Sequence, residues 1–391
     1  MVLCLLACSS LSLQAADIEQ NALQWSGFFT TGVNWTDSSV PYNTVVTKNP
    51  KVVPNTLLGL NISKPLSAHM TLGGQLLAQG ANADSALKAD WAYVNYQPND
   101  NVSFTIGQQK IPLWLMAEYA NVGRAYPWTN PPEEVYSLFN IQSFAGASSR
   151  FQYMFSHLVV ALEPYTGTTV VETSPSAPTS SSKVSAKDMF GANLEIKASD
   201  FLKLRAAFNR AKWNLNLSPT ISLGEHEFQV VDYSLTAHFK DFNFISEYAQ
   251  TTDLDQGYYT NLSNQENATA AQYAKAGNVI AAAAEAQQAA LDGLKIGGAK
   301  AYYLTMVYNF KILSGYASYA HVVRPENLGI TQNQSSTTVG IGYDVSPDSV
   351  IKVEVKHIMP SGLGLFTPSS TQTVADVKKS DVFTINYNCV F

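Results

Sequence analysis

Apolar and polar residues alternate with a period of two through most of this chain. In Trp25-Ser-Gly-Phe-Phe-Thr-Thr-Gly-Val-Asn-Trp35, the residues Trp25, Phe29, Val33 and Trp35 share one face. Ser26, Thr30, Gly32 and Asn34 share the other. Leu58, Leu60 and Ile62 repeat the rhythm before a tight Lys64-Pro-Leu-Ser67 turn, and Met70, Leu72 and Leu76 carry it back. It continues through Val102-Phe104-Ile106, Leu202-Leu204-Ala206-Phe208, Tyr302-Leu304-Met306-Tyr308 and Val339-Ile341-Tyr343, and it closes at Phe383-Ile385-Tyr387-Cys389-Phe391. Successive side chains of a strand point to opposite faces, so this pattern predicts about 16 strands with one apolar face each. Short and long connections alternate between them. Both chain ends fall on the short-turn side, as closure of an even-numbered antiparallel barrel requires.

The long connections predicted at Asp37 to Pro54, Thr168 to Lys187, Lys212 to Glu225, Val322 to Ser335 and Met359 to Ser380 are polar, rich in Ser, Thr, Asn and Pro. One connection departs from strand logic. An alanine-rich run, Ala268 to Leu294, follows a capping box at Ser263-Asn-Gln-Glu266, which predicts a helical insertion over about 263–296. Its apolar face would carry Ile280, Ala284, Leu291 and Leu294. Its polar residues make it unfit to span a bilayer.

Composition narrows the class. The chain has 391 residues, of which 46% are hydrophobic, 11% aromatic and only 14% charged, against about a quarter charged in ordinary soluble domains. No run reaches the roughly 18 to 20 apolar residues of a spanning helix. Aromatic residues gather at segment ends, as in the girdles of a transmembrane β-barrel. A net charge of −6 without a basic block argues against nucleic acid as partner. Residues 1–15 read as a secretory signal with a Leu13-Gln-Ala15 cleavage site, although no Lys or Arg precedes the apolar run. Residues 16–391 then form one barrel domain. Removing the leader leaves Cys389 as the only cysteine, so no disulfide framework is expected. The six histidines lack metal-ligand spacing, and neither metal nor cofactor is expected.

The terminal Phe391, the ordered set of strands and the segment Ile106-Gly-Gln-Gln-Lys-Ile-Pro-Leu-Trp-Leu-Met-Ala-Glu-Tyr119, with Arg124-Ala-Tyr-Pro-Trp128 and Pro131-Pro-Glu-Glu-Val-Tyr136, resemble Gram-negative outer-membrane porins of about 16 strands. The resemblance implies short periplasmic turns, long external loops and a third loop, Ile111 to Phe139, folded inward as a constriction. It implies a water-filled channel for passive diffusion of small hydrophilic solutes and ions, in the cell outer membrane, often as a homotrimer. On that reading Lys110, Glu118, Tyr119, Arg124, Glu133 and Glu134 are the candidates for the constriction. Phe391 is the expected signal for the barrel-insertion machinery.

Strand parity separately nominates charges that face the lumen, because a charge on the lipid side at midplane costs about 2–4 kcal/mol. The basic ones are Arg150, Lys203, Arg205, Lys352 and Lys356; the acidic ones are Glu163, Glu195, Asp232, Glu247 and Glu354. Their balance predicts weak ion selectivity. Arg210 and Lys212 have lipid-side parity near an external strand end, within reach of lipopolysaccharide phosphates. No nucleophile elbow, zinc-protease or phosphate-loop motif is present, so no enzymatic activity is expected. A channel specific for phosphate, sugars or peptides and an adhesive surface barrel are the alternatives.

Overall fold

A computed structural model describes residues 22–52, 56–79, 87–139, 141–173, 182–218, 221–292, 298–326, 330–369 and 371–391. The expected leader lies outside these residues. The first eight strands are β1 (Gln24–Thr36), β2 (Leu57–Ser67), β3 (Met70–Gln79), β4 (Leu87–Asn99), β5 (Val102–Lys110), β6 (Ser143–Phe155), β7 (Leu158–Thr173) and β8 (Ser182–Ala198). The second eight are β9 (Leu202–Ser218), β10 (Ile221–Phe239), β11 (Phe242–Asp253), β12 (Lys300–Phe310), β13 (Leu313–Val323), β14 (Gln332–Ser346), β15 (Ser349–Gly362) and β16 (Ser380–Val390). Each strand pairs with its sequence neighbours and β1 pairs with β16, which closes the barrel. The 16-stranded antiparallel fold read from the alternation is the fold observed.

Closure runs in register from Phe28↔Val390 to Thr36↔Val382. The last residue continues the seam: the Phe391 N–H donates to the Gly27 carbonyl at 2.9 Å, and the Gly27 N–H donates back at 2.7 Å. A side chain at position 27 would collide with the Phe391 ring, so glycine leaves the space in which the terminal aromatic docks. Trp25 covers that ring edge-on, with centroids 6.4 Å apart.

The outward faces are apolar along the strands, for example Leu304, Met306 and Tyr308 on β12 and Ile351 and Val353 on β15, all exposed. Two of the predicted connections are much shorter than expected. The β7–β8 ladder runs up to Thr173↔Ser182 and the β9–β10 ladder up to Ser218↔Ile221, so most of 168–187 and 212–225 is strand. Beyond the lipid both faces of a strand meet water, the alternation disappears, and a polar Ser/Thr-rich strand reads as a loop. At the external end Arg210 pairs with Glu227 at 2.7 Å and Lys212 with Asp188 at 3.2 Å, so both cations have carboxylate partners within the chain.

The helical connection also differs from the reading by pattern. Counting the four-residue turn Glu133–Tyr136 as α1, two helices follow β11: α2 (Gln256–Lys275) and α3 (Val279–Asp292). The helix starts before the supposed capping box. Ser263 is therefore an interior position, and its hydroxyl donates to the Ala289 carbonyl of α3 at 2.6 Å. Gly277, at φ +79°, turns the chain between the helices. Ile280, expected on the apolar face, is exposed, whereas Ala270 of α2 and Ala289 of α3 are buried. Among the described residues no helix is long and apolar enough to cross a membrane.

The largest hydrophobic core lies inside the barrel. Ile111, Leu113, Trp114, Trp128, Val135 and Phe139 of the β5–β6 loop pack against inward residues of β9 to β13, including Ala207, Val230, Ile245, Ala249, Val307 and Val322. All six of these wall residues sit in runs that are apolar on both faces, such as Val230-Val231, Phe244-Ile245 and Val322-Val323. Such runs are expected where both faces of a strand are covered.

Candidate functional site

The loop between β5 and β6 folds into the lumen and is fastened there residue by residue. At its root, Lys110 pairs with Asp90 at 2.5 Å. Asp90 is the bulged residue of β4, facing the loop because the register shifts between Gln75 and Leu76 of β3. It also accepts from the Asn121 amide at 3.2 Å. The Arg205 guanidinium donates to the Leu113 carbonyl at 2.6 Å and to that of Pro112, while the Glu247 carboxylate accepts the Leu115 N–H at 2.8 Å. Asp232 lies against Arg205 at 3.5 Å.

Across the lumen, Lys352 on β15 is the main clasp. Its ammonium donates to the carbonyls of Gly123, Tyr126 and Trp128 at 2.5, 2.5 and 2.6 Å and sits 4.8 Å from the Tyr126 ring centroid. One residue pair along, Glu354 accepts the Thr129 N–H at 2.9 Å and the Tyr316 hydroxyl. Trp128 donates through Nε1 to the Thr305 hydroxyl at 3.1 Å and meets Tyr303 edge-on. The loop backbone is thus satisfied by wall side chains, as buried polar groups require.

The loop's last turn is locked from two directions. Lys356 bridges Glu133 and Glu134, each at 3.1 Å, and Gln334 donates to Glu134 at 2.7 Å. From above, Tyr42 of the β1–β2 loop packs against Phe366, accepts from Gln334 at 3.1 Å and contacts the Lys356 ammonium at 3.1 Å. Burial pushes the Glu134 carboxyl up, but Lys356 and the hydrogen bonds from Ser336 and Gln334 outweigh it and hold the group below its ordinary value. A depressed carboxylate contributes stability that is complete above its unfolded value, about 4.5, and lost as the pH falls through the folded value. Acidification from pH 6 to pH 3 should therefore loosen this end of the loop in the native protein. Tryptophan emission, reporting on Trp128 and Trp114, should shift over that range in the native protein and much less in Glu134→Gln. Identical acid profiles would show that the carboxylate does not hold the loop.

These contacts separate the candidates that fasten the loop from those that stay exposed. Lys110 and Glu134, together with Arg205, Asp232, Glu247, Lys352, Glu354 and Lys356, engage the loop or each other and are buried, Glu134, Asp232 and Glu247 fully; Glu133 pairs with Lys356 and keeps 24% side-chain exposure. Arg124 reaches the short turn after β14, pairing with Asp344 at 3.0 Å and donating to the Pro347 carbonyl at 3.3 Å. A loop that spans the lumen leaves its polar backbone buried, and inward charges of either sign are the donors and acceptors that satisfy it.

Six further candidates keep exposure and lie together elsewhere. Glu118 and Tyr119 project from the loop, and Arg150, Glu163, Glu195 and Lys203 come from β6 to β9. Arg150 approaches Glu163 at 3.4 Å and Lys203 approaches Glu195 at 2.9 Å, all four side chains between 17% and 37% exposed. Burial and the adjacent Glu118 and Glu195 carboxylates push the Tyr119 hydroxyl up to about 12, so it stays a neutral donor. Three carboxylates stand against two cations here.

Several participants had no signal of their own in the sequence reading. Asp90 shows itself only through the break in parity at Asp90-Trp91, and Tyr42 and Gln334 carry none because their partners are distant.

No family model and no curated protein matches this sequence. Solved structures do. The anion-selective porin from Comamonas acidovorans is similar at 10% identity over 95% of this chain and 100% of that one, with a TM-score of 0.56. OmpF of Salmonella typhi, in complex with daunomycin, is similar at 11% identity over 95% and 98%, with a TM-score of 0.58. OmpT of Vibrio cholerae in its trimer form is similar at 11% identity over 95% and 99%, with a TM-score of 0.54. At these identities the likeness establishes the outer-membrane barrel fold.

Proposed function

We propose that this protein is a porin of a Gram-negative outer membrane: a non-enzymatic, water-filled channel for passive diffusion of small hydrophilic solutes and ions. The observation that carries the reading is the division of the lumen. The inward loop is sealed by an apolar core and ionic clasps onto β9 to β16, while Glu118, Tyr119, Arg150, Glu163, Glu195 and Lys203 stay exposed on the other side. Charges lining a narrow aqueous passage set ion preference, and three carboxylates against two cations give a weak preference for cations. Reconstitution into planar bilayers tests the reading. Ohmic, long-lived steps in potassium chloride with a small cation-favouring zero-current potential are expected. A sealed or silent barrel would refute the channel and favour an adhesive surface role.

The proposal includes the partners named from the sequence. A homotrimer is supported by the Vibrio cholerae neighbour, and by the outward face of β4 to β6, where exposed Ala92, Ala145 and Ala147 replace bulky residues. Lipid and lipopolysaccharide would surround the rest of the barrel. Phe391 serves insertion: deleting it, or filling its dock by Gly27→Leu, should lower the amount of heat-modifiable barrel in the membrane. Channels that do insert should conduct normally. Undiminished insertion of both variants would remove Phe391 from assembly.

A further inference from the structure

We infer that the uncharged inner wall of β2 to β5 is a binding surface for neutral polyhydroxylated solutes, of the chemical class of sugars and polyols. The inference rests on the channel reading above and adds a solute class to it.

Between the Asp90–Lys110 pair and the short turns, the inner faces of these four strands carry no charged side chain among the described residues. They present Asn61, Gln75, Trp91, Tyr93, Asn95 and Thr105. Parity places all six inward, and three of them form one registered row across three strands, Asn61↔Gln75↔Trp91. The charges paired on the open side of the lumen therefore lie on β6 to β9, and those of β10, β11 and β15 are buried against the loop. A simple electrolyte pore has no need of a neutral wall furnished in this way.

Two features of the wall suit a sugar. The first is an aromatic platform. Tyr93 lies over Gly73 of β3, three of its outer atoms standing 2.7–2.9 Å from where a Cβ at that glycine would be. The missing side chain lets the ring cover the wall. Trp91 extends the surface, with centroids 5.4 Å apart and planes inclined by 35°. The apolar C–H face of a pyranose can rest on such rings, whose faces carry partial negative charge.

The second feature is an arrangement of amides with unused capacity. Gln75 donates to Asn61 at 2.6 Å, and Asn95 donates to Thr105 at 2.8 Å, which fixes the orientation of both amides. Gln75 is 5% exposed, yet its Oε1 has no hydrogen-bond partner among the described residues, and neither does the Nε1–H of Trp91 beside it in the register. An acceptor and a donor, both unsatisfied and both enclosed, thus belong to residues paired across adjacent strands. A hydroxyl can donate to an amide oxygen or accept from an indole N–H, whereas a halide can only accept and an alkali cation can do neither.

Single channels in planar bilayers, recorded in potassium chloride with maltotriose, test this against polyethylene glycol of matched hydrodynamic size. Maltotriose should interrupt or lower the current in a saturable manner, beyond the viscosity effect that the polyethylene glycol shows. In Tyr93→Leu the ratio of maltotriose block to polyethylene glycol block should fall about tenfold, the value of roughly one aromatic contact. Trp91→Phe, which keeps a ring and removes the Nε1–H, should weaken the block by a smaller factor, and it serves as the test if Tyr93→Leu does not fold. Maltotriose acting no more strongly than polyethylene glycol would overturn the inference and leave the channel reading intact. So would a specific block that persists unchanged in both variants once heat-modifiable mobility shows them folded. Absence of any conductance would overturn both readings together.

Discussion

Replacing Lys352 with methionine should release the middle of the inward loop while leaving the barrel closed. The Lys352 ammonium is the shared donor to the Gly123, Tyr126 and Trp128 carbonyls. Each buried carbonyl left without a donor costs about 1–3 kcal/mol, so the combined loss exceeds what methionine packing returns. The strand ladders on either side of β15 make no use of this side chain, and closure through β1 and β16 is unaffected. The segments around Leu113 and Val135 stay docked through the apolar core, so Gly123 to Trp128 should swing between them. Single-channel records should show a higher mean conductance with frequent fluctuations, and heat-modifiable mobility should match the native protein. Conductance and noise equal to the native values would mean that the core alone holds the loop and that the ammonium is dispensable.

Glu118 should control ion preference far more than Glu134, although three residues of this loop looked equivalent by pattern. Glu118 is exposed on the loop, whereas Glu134 is fully buried against Lys356 and Gln334. A unit charge about 8 Å from a permeating ion in a water-like dielectric contributes roughly 0.5 kcal/mol. The charge favours the cation and disfavours the anion by that amount each, so Glu118→Gln should shift the cation-to-anion permeability ratio about fivefold toward anions, and Glu118→Lys about thirtyfold. Glu134→Gln should leave the zero-current potential in a salt gradient near its native value, because the side chain is fully buried and Glu133 still pairs with Lys356. Its effect should appear in loop stability, through the loss of a buried ion pair. A shift in zero-current potential from Glu134→Gln as large as that from Glu118→Gln would show that the loop's last turn faces the permeation path.

The fold was legible because its constraint is local. A strand with lipid on one side and another medium on the other must alternate, whatever lies elsewhere in the chain, so Leu304-Met306-Tyr308 or Ile351-Val353 announce their outward face unaided. Legibility failed where that constraint stops. Above the lipid, Thr168 to Thr173 and Lys212 to Ser218 keep their ladders without alternation, so strand was mistaken for loop. In the helical connection, the Ser263-x-x-Glu266 pattern describes a helix start but does not compel one, and docking of Ser263 on Ala289 placed it inside a longer helix.

What the sequence by itself determined is the barrel, its strand number and the direction in which most side chains point; the inward loop followed only from the resemblance to porins. Which inward charges meet water was decided only by the tertiary structure. Parity treats Arg150 and Lys352 alike, yet Arg150 stays partly exposed while Lys352 is buried under a segment more than two hundred residues away in the chain. The difference follows from the loop's need to satisfy its buried carbonyl and N–H groups, and that need falls on whichever wall side chains it crosses. A strand pattern carries no record of that crossing. The same packing leaves Trp91 and Tyr93 partly exposed, because the apolar residues of the loop found their partners on β9 to β13.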